Sequence, residues 1–229
     1  MSTVDPRLVP LRDLAAAYTR SGTPGTVRSV AVVGNAPMVP SAARVTAIDG
    51  CDLVLRTNSF VLDRPGAEPV AGRRTDVVVW GRTLRATPWS FEGYRSRLYV
   101  LVEPMRMFHR PEIWPGSWPE DLGLVVARND AVAVPLLEEL GLPWREQRLA
   151  PTTGTTAAWL ARTLFPEAEV HLTGLSYVDV ASPERWDYQS GASGVIGPEH
   201  RIEPEGDLLR GWWRSGRVRF WPTDSEEEA

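Results

Sequence analysis

Three short runs of mostly apolar residues constrain the fold of this chain most strongly. They cover residues 30–33, 53–55 and 76–80, and turn residues bound each run. Runs of this length and composition are typical of strands that are buried on both faces of a parallel sheet. A helix is predicted at 40–48, so residues 30–58 form a strand–turn–helix–strand unit. The sequence therefore predicts an α/β fold with a mostly parallel, twisted sheet that is flanked by helices.

Weaker patterns complete the predicted secondary structure. Further strands are predicted at 98–102 and 170–174, with an edge strand at 218–221. Helices are predicted at 6–20, 83–94 (broken by Pro88), 130–140, 152–164 and 207–214. Residues 176–198 are expected to be irregular. The chain then divides into an N-terminal helix and linker at 1–26, one α/β domain at 27–222 and an acidic, disordered tail at 223–229.

Composition excludes several classes of function. The net charge is -4 and no basic stripe is present, which argues against a nucleic-acid surface. Cys51 is the single cysteine, so neither an intramolecular disulfide nor a cysteine-rich zinc site is expected. The first residues have no signal-peptide pattern, and no apolar run approaches the ~20 residues that span a bilayer. We therefore expect a cytoplasmic protein without a membrane span.

Asparagines follow the first two predicted strands. Asn35 comes after the first strand and Gly34, and Asn58 comes after the second. Ligands of open α/β sheets bind beyond the carboxyl ends of the strands, where both amides are expected. Only one glycine of a G-x-G-x-x-G fingerprint is present, which argues against NAD. An amide can instead donate to a phosphate and accept from a sugar hydroxyl. The simpler interpretation is that Asn35 caps the next helix.

A threonine-rich segment opens the helix predicted at 152–164. Thr152, Thr153 and Gly154 belong to the sequence PTTGTT. A helix N-terminus with free N–H groups and several hydroxyls is suited to bind an anion. An ordinary N-cap would need only one of these threonines.

The sequence contains three histidines, of which His200 is the candidate general base. Glu205 follows it closely, and a carboxylate that orients an imidazole makes a better general base. His171 lies inside a predicted strand, where a packed or edge position is expected.

The connection at 103–121 is long and holds four prolines and several aromatic residues. Connections of this length are uncommon unless they act as a lid or a binding loop. Its aromatic faces suit a sugar ring or another flat acceptor, and the candidate residues are His109, Trp114 and Trp118. The alternative is a surface loop packed by its own aromatic side chains.

Taken in order, these segments resemble the sialyltransferase superfamily, which transfers sialic acid from CMP-sialic acid. VAVVGNAP, IDGCDLVLRTN and GRRTDVVVWG resemble its large motif, and APTTGTTAAWLA with VHLTGLSY resembles its small motif. RWDYQ stands where a short aromatic motif is expected, and His200 with Glu205 matches a terminal His-x4-Glu motif. The resemblance extends over residues 29–205.

The resemblance implies a single Rossmann-like domain that is a variant of the GT-A fold. It also implies an inverting, metal-independent glycosyltransferase that uses CMP-sialic acid or a related keto-acid sugar and no further cofactor. His200 and Glu205 would be catalytic, and Tyr188 would bind the departing phosphate. The donor-binding residues that it implies are Gly34, Asn35, Arg56, Asn58, Thr152, Thr153, Gly154 and Tyr188. The chain independently lacks the Asp-x-Asp pattern that holds a divalent ion on a sugar diphosphate.

The details are closer to bacterial members. One cysteine cannot form the disulfide that joins the two main motifs of animal members, and the GNAP turn is closer to the bacterial GNGPS-like turn. The expected partners are the nucleotide-sugar donor and a small-molecule or glycan acceptor. Two alternatives are a nucleotide- or carbohydrate-binding module without catalysis and another nucleotide-dependent transferase, such as a pyrophosphokinase. The latter would need clustered carboxylates for magnesium.

Overall fold

The computed structural model describes residues 4–19, 27–81, 86–108, 116, 118–179 and 185–223. Within them, a seven-stranded sheet has the order β5-β4-β3-β2-β1-β6-β9, and every neighbouring pair is parallel. Two further strands, β7 and β8, form an antiparallel hairpin. The strands are β1 Ser29–Val33, β2 Leu53–Thr57, β3 Val77–Trp80, β4 Leu98–Leu101, β5 Leu124–Val126, β6 Glu169–Thr173, β7 Arg185–Asp187, β8 Ser193–Val195 and β9 Arg219–Phe220.

Seven α-helices surround the sheet in the described part of the chain. They are α1 Val9–Ala17, α2 Ala42–Gly50, α3 Ala133–Glu139, α4 Trp144–Gln147, α5 Thr153–Leu164, α6 Ser176–Asp179 and α7 Ile202–Arg214. Short 3₁₀ helices cover Pro6–Leu8, Tyr94–Ser96 and Pro104–Phe108.

Side-chain alternation along β1 explains why its apolar run is unbroken. Val30 and Val32 face the main core, which also contains residues of α1, α5 and α7. Ala31 and Val33 face a second core that contains Ile48 of α2. Both faces of the strand are covered, so every position requires an apolar side chain. The prediction of a mostly parallel α/β fold is confirmed.

The strand order reverses at β1. Strands β2 to β5 extend the sheet on one side of β1, and β6 and β9 extend it on the other. The connections that leave the carboxyl ends of β1 and β6 diverge at such a switch point and open a crevice there. Helix α5 packs across β1, β2, β3 and β6, which brings its first turn to this crevice.

Several predicted boundaries are wrong. Residues 176–198 contain α6 and the β7–β8 hairpin instead of being irregular, and β5 was not predicted. Helix α7 starts at Ile202 instead of 207. Pro204 is tolerated in its first turn, because the nitrogen atoms of the first turn form no intrahelical hydrogen bond. The described part of the predicted helix at 83–94 consists mostly of turns.

The N-terminal helix belongs to the same core as the sheet, because Leu11 and Ala15 of α1 pack with β1 and α5. The predicted linker around 21–25 and residues 224–229 of the predicted tail lie outside the described residues.

Candidate functional site

A cleft with a volume of about 130 Å³ lies beyond the carboxyl ends of β1, β2 and β6. It brings together segments that are far apart in the sequence. Its lining residues are Gly34, Asn35, Ala36, Thr57, Asn58, Thr152, Thr153, Gly154, Gly174, Leu175, Ser176, Tyr177, Trp186, Asp187, Tyr188 and His200. Most of the predicted donor residues are therefore lining residues, and so is His200.

Two glycines form the floor of the cleft, where the turns after β1 and β6 cross. Gly34 N donates to Thr173 O at 2.9 Å, and Ala36 N donates to Gly174 O at 3.0 Å. A Cβ atom at Gly34 would lie only 2.7 Å from the carbonyl carbon of Gly174. Gly174 has a φ of +67°, in the left-handed region that favours glycine. Both positions require glycine, and the close crossing fixes where Asn35 emerges.

The two predicted asparagines stand at the edges of this floor. Asn58 has a φ of 42°, and its Oδ1 accepts a hydrogen bond from Gly81 N at 3.2 Å, which fixes the amide. Asn35 Oδ1 is buried and has no hydrogen-bond partner in the described part of the chain. A buried acceptor without a partner is costly unless a ligand supplies a donor. Asn35 is therefore placed to accept from a hydroxyl or amine of a bound molecule.

The first turn of α5 forms one wall of the cleft and is held from behind by a buried polar network. Thr152 is the N-cap, and its Oγ1 accepts from Thr155 N at 3.2 Å. Glu205 accepts from Thr152 N at 3.0 Å and from Thr152 Oγ1 at 2.6 Å. The Tyr177 hydroxyl lies 2.9 Å from Thr155 Oγ1 and 3.2 Å from Thr152 Oγ1. The network fixes the helix tip and leaves Thr153 and Gly154 facing the cleft.

Burial controls the protonation of this network. It raises the pKa of the Glu205 carboxyl above its ordinary value, while the hydrogen bonds from Thr152 and Thr155 oppose the shift. Burial and the nearby Glu205 also raise the pKa of Tyr177, whose phenol therefore stays protonated at neutral pH.

The structure corrects the predicted role of Glu205. Glu205 is 1% exposed, does not line the cleft and binds Thr152 instead of the imidazole of His200. His200 is oriented by a backbone carbonyl, because its Nδ1 lies 2.9 Å from Ala150 O. A carbonyl oxygen can only accept, so Nδ1 carries the proton and the neutral ring keeps its lone pair on Nε2. His200 can therefore act as a base through Nε2 without a carboxylate partner.

Arg56 is not part of the cleft, contrary to the prediction. Its side chain is fully buried on the other face of β2 and donates to Ala71 O at 2.6 Å and to Arg74 O at 2.8 Å. Burial lowers its pKa to about 10. Arg56 therefore ties the loop before β3 to the sheet instead of binding a ligand.

Of the three predicted acceptor residues, only Trp118 is described, and it lines neither the cleft nor a space beside it. Trp118 packs against Trp80 and Phe91, with ring centroids 6.0 Å and 6.3 Å away, beside β3 and β4. His109 and Trp114 lie outside the described residues.

A second groove adjoins the cleft and was not predicted. It is formed by residues before and after β8, by residues 86–88 and by Ser59. It shares Trp186, Tyr188 and His200 with the cleft, so these three side chains form the boundary between the two spaces. Trp186 and Tyr177 were not predicted as site residues, although they belong to the motifs RWDYQ and VHLTGLSY that carry the resemblance.

The described residues contain no group of three or more His, Cys, Asp or Glu side chains suited to hold a metal ion. Among the same residues, no helix combines the length and the apolar character that crossing a membrane requires.

No protein-family model and no curated protein sequence matches this chain. Solved structures with a similar fold include a mammalian sialyltransferase, with a TM-score of 0.54 and 15% identity. A mammalian sialyltransferase in complex with Gal-beta-1-3GalNAc-ortho-nitrophenol is also similar, with a TM-score of 0.57 and 17% identity. Each alignment covers 98% of this chain and 82% of the other. The fold is thus that of the sialyltransferase structures, as the sequence motifs predicted.

Proposed function

We propose that this protein is an inverting, metal-independent glycosyltransferase that uses CMP-sialic acid or a related CMP-activated keto-acid sugar. The observation that carries the proposal is the convergence of Asn35, Asn58, the α5 tip, Tyr188 and His200 on one cleft. These residues come from four distant segments of the chain. The shared fold with sialyltransferases supports the same reaction class, although fold alone does not define function.

The donor is anionic, and the α5 tip supplies the matching positive end. The N–H groups of Thr153 and Gly154 lie in the first turn of a helix of 12 residues, where no intrahelical acceptor is available to them. Together with the helix dipole they favour a phosphate or carboxylate. Position 154 requires glycine, since a Cβ there would lie 2.7 Å from the Tyr177 hydroxyl oxygen and would displace the helix tip from Tyr177. The unpartnered Oδ1 of Asn35 would accept from a hydroxyl or amine of the nucleoside.

Tyr188, which lines the cleft, would assist the departure of CMP. Burial raises its pKa, so that at neutral pH the phenol is protonated and can donate a hydrogen bond. A donor directed at the oxygen that gains charge stabilises the transition state more than the ground state.

His200 would supply the base. As the acceptor oxygen bonds to the anomeric carbon, the bond from that carbon to the phosphate oxygen breaks, and Nε2 takes the acceptor hydroxyl proton. A single displacement of this kind inverts the anomeric centre. The groove on the other side of His200 is the proposed acceptor site, because an acceptor there and a donor in the cleft would meet at this ring.

The test is the variant His200→Ala, with His171→Ala as the matched control. His171 stacks on Trp221 at a centroid distance of 4.4 Å and does not line either space. We expect His200→Ala to abolish sugar transfer while the Kd for CMP, measured calorimetrically without magnesium, changes by less than about tenfold, or ~1.4 kcal/mol. His171→Ala should retain transfer. Wild-type turnover in His200→Ala would refute the assigned base, and a failure of CMP to bind would refute the donor.

A further inference from the structure

The groove beside His200 is lined almost entirely by uncharged side chains. Fourteen described residues line it, among them Ser59, Thr87, Ser193, Val195, Glu199 and His200. Apart from His200 and Glu199, all of these side chains are uncharged. The walls offer hydroxyls and small apolar surfaces, which suit a sugar ring with its hydroxyl edge and apolar face.

Val195 supplies the most exposed part of this apolar surface. Its side chain is 87% exposed on β8, and no other large hydrophobic residue in the described chain is as exposed. Trp186, in the other strand of the hairpin, is half-buried at the boundary with the cleft. The hairpin is thus held against the body of the protein on one side and leaves apolar surface open on the other.

Glu199 brings a carboxylate to the groove. Its carboxylate folds back over Gly197, with Oε1 2.7 Å from the position of a Cβ there. No ion pair to Glu199 occurs within the described part of the chain. The nearest arginine in sequence, Arg201, is directed elsewhere, because it donates to Pro198 O at 2.7 Å and to Gln147 Oε1 at 3.1 Å.

We infer that the groove selects its acceptor by charge: it takes neutral or amino sugars and disfavours acidic ones. The inference rests on the proposed function in that it assigns the groove to the acceptor. Its physical basis is the Glu199 carboxylate, which attracts an ammonium group and repels a carboxylate of a bound sugar. At a separation of about 7 Å in a solvent-exposed groove, this interaction changes affinity by about threefold to tenfold per unit charge.

The experiment compares three probes that share one ring: methyl galactoside, methyl galactosaminide and methyl galacturonide. Their affinities are measured by saturation-transfer NMR with CMP-saturated protein and again without nucleotide. The variant is Glu199→Gln, and the control is Glu203→Gln, an exposed carboxylate on α7 outside the groove. Wild-type protein should bind the galactosaminide more tightly than the galacturonide. Glu199→Gln should reduce that preference threefold or more, while Glu203→Gln should not.

An unchanged preference in Glu199→Gln, or equal affinities in the wild type, would overturn the inference. The measurement without nucleotide separates this failure from that of the proposed function. If CMP does not bind but Glu199→Gln still removes the charge preference, the donor assignment fails and the groove assignment stands. If CMP binds but the wild-type protein shows no charge preference, the donor assignment stands and the groove assignment fails.

Discussion

Replacing Glu205 with alanine should destabilise the protein strongly, although this residue does not line the cleft. The carboxylate accepts from Thr152 N at 3.0 Å and from Thr152 Oγ1 at 2.6 Å, and all of these groups are buried. Alanine leaves Thr152 N without an acceptor and removes the 2.6 Å hydrogen bond from Thr152 Oγ1, and each loss costs about 1–3 kcal/mol. We therefore expect the free energy of unfolding to fall by about 3–5 kcal/mol, which lowers the Tm by roughly 10 °C in a chain of this size.

Glutamine at the same position should be tolerated better. Its carbonyl can accept from Thr152 N, and its amide nitrogen can donate to Thr152 Oγ1 once that hydroxyl rotates. We expect a loss below about 1.5 kcal/mol for Glu205→Gln, and Glu203→Ala on the exposed side of α7 serves as the control. Urea unfolding followed by tryptophan fluorescence measures all three. A loss below about 1 kcal/mol for Glu205→Ala would refute the anchoring role.

The same residue predicts a pH dependence. Burial raises the folded-state pKa of Glu205, so the native state holds this proton more tightly than the unfolded chain does. The contribution of this group to stability is therefore largest below its unfolded pKa of about 4.3 and is lost as pH rises through the folded pKa. Glu205→Gln should remove that loss, so the difference in unfolding free energy between wild type and variant should vary with pH above 4.3.

Two further substitutions test the assignments around the sheet. Arg56→Ala should lower the free energy of unfolding by about 3–5 kcal/mol, because the buried guanidinium donates to the carbonyls of Ala71 and Arg74. The Kd of the folded variant for CMP should stay within about threefold of the wild-type value. A larger rise in Kd would indicate that Arg56 contributes to CMP binding. Gly34→Ala should fail to bind CMP or to fold, because its Cβ would overlap the backbone of Gly174; a folded variant with wild-type affinity would contradict the close crossing of the two turns.

The sequence predicts those parts of the fold whose environment is the same on both faces. Strand β1 is covered on both sides, so its positions are uniformly apolar and the run is visible without a structure. Strand β5 has three residues, none of them fully buried, and therefore carries little pattern. Its pairing with β4 depends on tertiary contacts, which a local sequence pattern does not show.

The β7–β8 hairpin was not predicted, for a different reason. Each strand has three residues and no run of apolar side chains. Long-range contacts hold the hairpin: Gln189 N donates to Asn35 O at 2.7 Å, and Gln189 Oε1 accepts from Met38 N at 2.6 Å. Because 151 positions separate Gln189 from Met38, no local pattern could indicate this docking. The groove that the hairpin forms was hidden for the same reason.

Arg56 shows where the resemblance misleads. It implied that Arg56 and Asn58 both bind the donor, but only Asn58 lines the cleft. Strand β2 ends at Thr57, and the positive φ of Asn58 breaks the alternation. The backbone turn sends Asn58 to the cleft while Arg56 stays beneath the sheet.

The spacing between His200 and Glu205 serves two separate requirements. His200 precedes the first turn of α7, where its ring reaches Ala150 O and the boundary between the two spaces. Glu205 lies inside that first turn and is directed into the protein, where it holds Thr152. Thr152 and Ala150 are two residues apart on the segment that leads into α5. The two side chains therefore hold one short segment at neighbouring points, so the His200 ring and the tip of α5 have fixed positions relative to each other.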